Sequence, residues 1–389
     1  MWKMKIGILT FHRPINYGAF LQSYGLSKRL SKDFPKADVE VIDYIAPMEK
    51  KKIYINILRR LKNNGVSGAI TEIKKIRIFK KSLGYLTLSE KYICNSDLKK
   101  LFNYIDKTYD VLVIGSDAVF NWNQNGYPTA FIPDYCFSIP VLSYATSVHG
   151  LRYFDEPKER IAQCGMTFER MMYLFVRDEC TNKFINYCSS DVVVNHCCDP
   201  TFLIDFNKLY SIKHRSIKTI TKKYGVTRKY IVLMIQDEII SREVYDRYSK
   251  DYIIVSLFIK NKYSNCFMYD LTPVEWCLVL KNAEVTVTSY FHGTLLALEQ
   301  LTPVMVVDVS NYGFPYEGKL DDLMNRRLGL KDLYYQLGDW KTIRARFFKS
   351  MNNCLRGEYL NIIEKGIADE RESYNSFLAA IKNAVGGYE

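Results

Sequence analysis

The chain has 389 residues, more than a single hydrophobic core usually serves, so two domains are expected. An apolar content of 48% beside 25% charged residues excludes a disordered chain, and no run of about 18 apolar residues calls for a membrane-spanning helix. The net charge of +12 favours anionic partners, either phosphorylated substrates or an acidic membrane face, while nucleic acid is not expected because no helix-turn-helix, zinc-finger or RNA-binding aromatic signature accompanies the charge.

Met1 to Lys5 leads straight into an apolar run, Lys5 to Phe11, with no room for a signal peptide, so a cytoplasmic protein is expected. A turn-prone stretch from His12 to Gly18, a helix from Ala19 to about Ser31 and a strand from Val39 to Tyr44 complete the opening unit of a parallel α/β sheet. Residues 48 to 108 are basic and aromatic, with helical patches at Ile53 to Lys62 and Ser96 to Ile105. The basic part, 48 to 81, suits the inner face of an anionic membrane, and solvation alone explains it equally well. Asp110 to Gly115 reads as a strand buried on both faces, followed by strands at Pro140 to Ala145 and Tyr173 to Arg177 around a helix from Glu156 to Met171.

A second series of the same kind begins after about residue 205: strands at Tyr230 to Ile235, Tyr252 to Phe258, Glu284 to Ser289 and Pro303 to Val309. Helices are expected at Glu238 to Ser249, at Thr272 to Asn282 and from about Thr294. The expected organisation is an N-terminal Rossmann-like domain over 1–204, a second over 205–345, and C-terminal helices over 346–389 that pack back across the first. The ten cysteines are irregularly spaced, lack a Cys-x-x-Cys pair and include an adjacent Cys197-Cys198, so reduced thiols serving as small core residues are expected, without a disulfide framework or a metal.

In parallel sheets ligands bind beyond the carboxyl ends of the strands, where helix N-termini favour anions. In Ser289-Tyr290-Phe291-His292-Gly293-Thr294 a strand breaks into a helix through a His-Gly pair. The glycine admits close backbone approach, and the histidine either titrates beside a bound anion or serves structurally. Gly115-Ser116-Asp117 offers a carboxylate at a strand end, as a base, a hydroxyl ligand or a helix cap. Asn16-Tyr17-Gly18 opens the first helix, Arg177 leaves an apolar strand beside Asp178 and Glu179, and the Ser143 to Gly150 loop carries His149. No Walker loop, Gly-x-Gly-x-x-Gly, His-Glu-x-x-His or Gly-x-Ser-x-Gly motif is present, which weakens ATPase, dehydrogenase, zinc-protease and esterase readings.

These segments, in order, resemble the polysaccharide pyruvyl transferase family: Asn16-Tyr17-Gly18-Ala19 with Leu21-Gln22, Ile114-Gly115-Ser116-Asp117 with Asn121, Ser143-Tyr144-Ala145, Val176-Arg177-Asp178-Glu179, Asp199-Pro200-Thr201-Phe202-Leu203, Pro273-Glu275-Trp276 and Phe291-His292-Gly293-Thr294. The resemblance implies α/β architecture with two Rossmann-like domains facing across a cleft, a GT-B-like arrangement. It implies transfer of a pyruvyl group from phosphoenolpyruvate, a co-substrate, to a saccharide or lipid-linked saccharide, with no further cofactor. Carried over, His292 is acid or electrostatic clamp and Asp117 the base. Arg177, Phe291, Gly293, Thr294 and Lys319 hold the donor, and Asn16, Tyr17, Gly18, Ser116 and His149 the acceptor. Tyr290 stands where some members have arginine, a cation that Lys319, Arg326 or Arg327 could replace, and Ala118 and Phe120 replace the usual glutamine and tryptophan. A nucleotide-sugar glycosyltransferase and a non-catalytic relative are the alternatives.

Overall fold

The computed structural model describes residues 3–94, 97–309, 318–338 and 340–386; Met1, Trp2 and Ser96, which the segments above include, lie outside them. In the first half β1 (Lys5–Leu9), β2 (Asp38–Val41), β3 (Val111–Ile114) and β4 (Val141–Ser143) form a parallel sheet in the order β2-β1-β3-β4. β5 (Leu174–Val176) and β6 (Val194–His196) pair in parallel, and single bridges from Leu142 to Tyr173 and from Thr146 to Val176 attach them to β4. The second half holds β7 (Tyr230–Met234), β8 (Ile253–Leu257), β9 (Cys266–Met268), β10 (Val285–Thr288), β11 (Val304–Asp308) and β12 (Tyr334–Gln336). They form one parallel sheet in the order β12-β11-β10-β7-β8-β9.

Continuous apolar runs become the central strands, because a parallel sheet covered on both faces has no solvated side to hold polar residues. Every residue of β3, β7 and β11 is buried. β6, β9 and β12 escape the sequence pattern because each has three residues, all three partly exposed in β6 and two in β9, and each lies at a sheet edge where burial is incomplete. The predicted patch at Ile53 to Lys62 belongs to a longer segment, Pro47–Ser82, broken at Gly65 with φ 63. That left-handed backbone costs glycine little. The predicted helix from Thr294 begins earlier, at Phe291–Leu298. The ten cysteines are free thiols, and Cys197 and Cys198 are buried in the core. No helix among the described residues is long and apolar enough to cross a membrane.

The last helices bind the halves together. Trp340–Leu355 lies against β10 and β11, whereas Leu360–Glu372 and Tyr374–Ala384 reach the first half. Tyr374 donates a hydrogen bond to Asp33 (2.8 Å), the Arg371 Nε donates to the Phe202 carbonyl (2.9 Å), and Phe377 packs edge-on against Tyr144 with centroids 4.4 Å apart. Phe377 is fully buried. Phe377→Ala is expected to lower unfolding stability by about 3–5 kcal/mol, measured by urea titration, because the cavity opens at the seam where little can collapse into it.

Candidate active site

Each sheet reverses its strand order once, between β1 and β3 in the first and between β7 and β10 in the second. Loops diverge at such points and leave a crevice beyond the carboxyl ends of the strands. The two crevices face one another. Residues after β1 (Asn16, Tyr17, Gly18), after β3 (Asp117, Ala118), at the end of β7 (Met234), after β8 (Phe258) and after β10 (Tyr290 to Gly293) line one pocket of about 320 Å3, with Trp276 and Lys319. Asp117 (φ 69) and Phe258 (φ 65) both hold left-handed backbone conformations there, which non-glycine residues adopt at a cost of order 1–3 kcal/mol.

The halves touch at Gly18. A Cβ on that residue would stand 2.2 Å from Cγ and Nδ1 of His292, so only hydrogen allows the helix Tyr17–Asp33 to approach the helix Phe291–Leu298 end to end. The two N-termini differ. The Asn16 side chain accepts hydrogen bonds from Gly18 and Ala19 amides (3.0 and 3.2 Å), whereas no side chain caps Phe291–Leu298. The amides of Phe291, His292 and Gly293 therefore have neither a carbonyl one turn earlier in the helix nor a capping side chain, and such donors suit an anion.

Beneath the pocket lies a buried polar network. Arg177 is 4% exposed and donates to Asp199 (2.7 Å) and Asp117 (3.0 Å), with Asp178 at 3.9 Å. Burial alone would raise the Asp117 carboxyl, but Arg177, His292 and Lys319 outweigh it and hold the group well below the ordinary carboxylate range. Gln22 fixes the rest. Its Oε1 accepts from the Ser116 hydroxyl (3.0 Å), and its Nε2 donates to Asp199 (2.6 Å) and to Nε2 of His292. A ring nitrogen that accepts carries no proton, so the His292 proton sits on Nδ1. Burial pushes His292 down to about 4 despite Asp117 and Asp199, and the ring is neutral near pH 7. His149 is pushed down to about 2 by burial and by the charges of Lys319 and Arg177.

Among the described residues that line the pocket, Lys319 is the cation. Its Nζ lies 4.9 Å from the centroid of the Phe291 ring, and the Arg177 guanidinium lies 4.7 Å from the same ring. Burial and repulsion from Arg177 bring Lys319 down to about 8, so its charge is lost within a range that ordinary buffers reach.

Several expectations need correcting. Arg177 does not line the pocket: its two terminal nitrogens donate to the buried Asp199 and Asp117, and Asp199 connects it by way of Gln22 to His292. His292 is no cationic clamp, since a neutral ring offers only Nδ1–H. Asp117 reaches the pocket, but a carboxylate stabilised so strongly is a weak base. Thr294 is fully buried, donates to the Tyr290 carbonyl (3.1 Å) and does not line the pocket. Ser116 is fully buried under Gln22, and the Tyr17 hydroxyl is committed to the Leu271 carbonyl (2.5 Å). Arg326 pairs with Glu179 and Asp322, and Arg327 with Asp322, which leaves Lys319 alone of the three substitute cations in the pocket. Phe291, Gly293, Lys319, Asn16 and Gly18 do line it. Gln22 and Asp199 went unassigned as site residues. Gln22 falls one helical turn after Gly18, on the same face, and that spacing was the available signal.

Comparison with solved structures shows the fold class. The chain is similar over nearly its full length to UDP-GlcNAc 2-epimerases: that of Methanocaldococcus jannaschii (TM-score 0.55, 14% identity, 97% of this chain and 99% of that one) and that of Neisseria meningitidis bound to UDP-GlcNAc (TM-score 0.55, 11% identity, 98% and 100%). A UDP complex of S. aureus MnaA gives a TM-score of 0.51 at 12% identity, covering 99% and 98%. These are GT-B-like folds, and so is this one. No curated protein matches it in sequence. The polysaccharide pyruvyl transferase profile matches residues 16–311, a span that includes all of the pocket wall except Ile15 and Lys319, and the chain belongs to that family of transferases.

Arg177→Met is expected to cost about 3–5 kcal/mol near pH 7, because it leaves Asp117 and Asp199 buried without their partner. The sign with pH follows from Asp117, whose folded-state pKa is depressed below 3.8. In the wild type the stability from its ionisation is present above that value and is lost as pH falls below it. In the variant that contribution is gone, so the gap between the two proteins should narrow on acidification. Urea titrations of both from about pH 5 down to about pH 2, across the range where Asp117 takes up its proton, check this; a gap that stays constant overturns it.

Proposed function

We propose that the chain transfers the pyruvyl group of phosphoenolpyruvate to two hydroxyls of one sugar in a surface polysaccharide or its lipid-linked precursor, releasing phosphate and leaving a cyclic ketal. What carries this reading is the uncapped N-terminus of Phe291–Leu298, set with Lys319 and the His292 Nδ1–H around a 320 Å3 pocket. A small donor with a phosphate and a carboxylate needs fixed positive ends and little volume. Four aromatic residues, Tyr17, Phe258, Trp276 and Tyr290, form one wall, with Tyr17 and Trp276 centroids 5.9 Å apart. Their apolar faces suit the C–H face of a sugar ring.

The reaction needs a proton at the methylene carbon, a hydroxyl at the neighbouring carbon and departure of phosphate. Lys319, near 8, is the acid best matched to neutral pH, because a proton donor works best when its pKa lies close to the working pH. His292 donates from Nδ1 to a donor oxygen, and the helix amides hold the phosphate as charge collects on it. Asp117 accepts a hydrogen bond from the incoming hydroxyl and so orients it. The first hydroxyl adds to the second carbon of the donor. Phosphate then leaves, and the second hydroxyl closes the ketal. Of the two hydroxyl protons, one ends in the methyl group, by way of Lys319, and the other leaves with phosphate.

Phosphoenolpyruvate at millimolar concentration is expected to raise the thermal midpoint, whereas UDP-GlcNAc does not. His292→Ala should cut acceptor-dependent phosphate release by about 100-fold or more, from loss of one donor to the reacting group. Stabilisation by UDP-GlcNAc in place of phosphoenolpyruvate would overturn pyruvyl transfer in favour of glycosyl transfer.

Affinity for phosphoenolpyruvate should weaken as pH rises above about 8, since the free protein then lacks the Lys319 charge that the bound anion requires. Lys319→Met should bind more weakly at pH 7 and lose this dependence. Titration calorimetry between about pH 6.5 and pH 9.5 checks both, and a flat wild-type profile would remove Lys319 from the anion site.

A further inference from the structure

We propose that the Pro47–Ser82 hairpin seats the protein on an anionic lipid bilayer. Those residues hold eleven lysines and arginines against two glutamates, nine of the net +12 charges of the whole chain. They also hold Met48, Tyr54, Ile55, Leu58, Leu61, Val66 and Ile70, seven of the seventeen large hydrophobic side chains exposed among the described residues. Leu58 is 64% exposed and Val66 68%. Water is a poor solvent for so many aliphatic groups in one short element. Among its described residues only Ala69, Phe79 and Ser82 are buried.

The geometry supports insertion at an interface. At Gly65 the chain doubles back, so that Arg60 faces Glu72 (3.8 Å). The two arms enclose an apolar groove of about 540 Å3 lined by Ile53, Ile57, Ile73 and Ile76, with Lys50, Arg77 and Lys80 at its margin. Basic side chains interleaved with exposed aliphatic ones match a surface that is negative outside and hydrocarbon within. Nucleic acid would satisfy the charge and leave the aliphatic groups wet. A second copy of the hairpin would cover them and bring like charges together.

The hairpin is also tied to the pocket. Phe79 stacks on Tyr17 with centroids 6.0 Å apart, and Lys75 Nζ donates to the Phe258 carbonyl (3.3 Å). Both Tyr17 and Phe258 line the pocket. A docked hairpin therefore holds the pocket beside the headgroups, where a lipid-linked saccharide would present its sugar. This last step rests on the proposed reaction; the docking itself does not.

The test is flotation of the full chain with vesicles of phosphatidylglycerol and phosphatidylcholine against vesicles of phosphatidylcholine alone. The protein should float with the anionic vesicles, not with the neutral ones, and raised salt should release it. Replacing Arg59, Lys62 and Lys74 together by Gln should lower partitioning by about 100-fold. Leu58→Ser with Val66→Ser should lower it at least about tenfold, and thermal midpoints near that of the wild type would show that these exposed changes leave the fold intact. His292→Ala should float like the wild type, so the outcome stands apart from the catalytic reading. Absence from anionic vesicles, equal flotation of the hairpin variants, or preferential capture by duplex DNA would overturn the proposal.

Discussion

One guanidinium, on Arg177, organises the cleft. It sits where β5 ends and meets Asp117 from the loop after β3 and Asp199 from the loop after β6, so a single buried cation ties together strand ends that are distant in sequence. Removing a charge from water is costly, and the cost is recovered only where opposite charge and hydrogen bonds are supplied at close range. Asp199 and Asp117 at 2.7 and 3.0 Å supply much of that here, though the Nε of Arg177 stays without a hydrogen bond, and the arrangement holds Asp117 ionised and passes an anchored carboxylate, Asp199, on to Gln22. Through that amide the first half reaches His292 on the second and sets which ring nitrogen bears the proton. Fold and site are therefore one construction: the groups that stabilise the junction of the halves also define what the histidine can donate.

The other constraint is steric. Two helices meet with their N-termini nearly in contact, and the absence of a side chain at Gly18 makes the approach feasible. One of these termini is closed by Asn16 and the other is open. In the proposed reaction that asymmetry would direct the acidic donor to the side of Phe291, where Lys319 also lies, and leave the aromatic wall of Tyr17, Phe258 and Trp276 for the saccharide. A pocket with a positive end and an aromatic flank is what the proposed transfer would use to bring its donor and a saccharide together.

Much of this was legible beforehand where burial leaves a strong imprint. Apolar runs such as Asp110 to Gly115 and Tyr230 to Ile235 have no other stable use than central parallel strands. Loops after those strands do converge on one pocket, because sheet topology opens a crevice beyond the strand ends. The edge strands β6, β9 and β12 were not legible, since three residues with partial exposure carry no pattern, whereas the edge strands β2 and β4, which alternate or are fully buried, were. The role of Arg177 was misread for a related reason. An arginine leaving an apolar strand has the same sequence context whether its fork meets a ligand or a buried carboxylate, and only the positions of Asp117 and Asp199 distinguish the two.

The amino-acid sequence by itself determined the alternation of strands and helices, the two-part α/β architecture, the family and the residues that gather at the strand ends, because these follow from local hydrophobic period and from short ordered motifs. It also determined that the 48 to 81 region would be strongly basic. The tertiary structure alone decided which groups face the pocket and in what state. It made His292 neutral, turned Arg177 inward, buried Ser116 and Thr294, and chose Lys319 over Arg326 and Arg327. Protonation and orientation depend on distances of a few ångströms between segments far apart in the chain, and no local pattern encodes those distances.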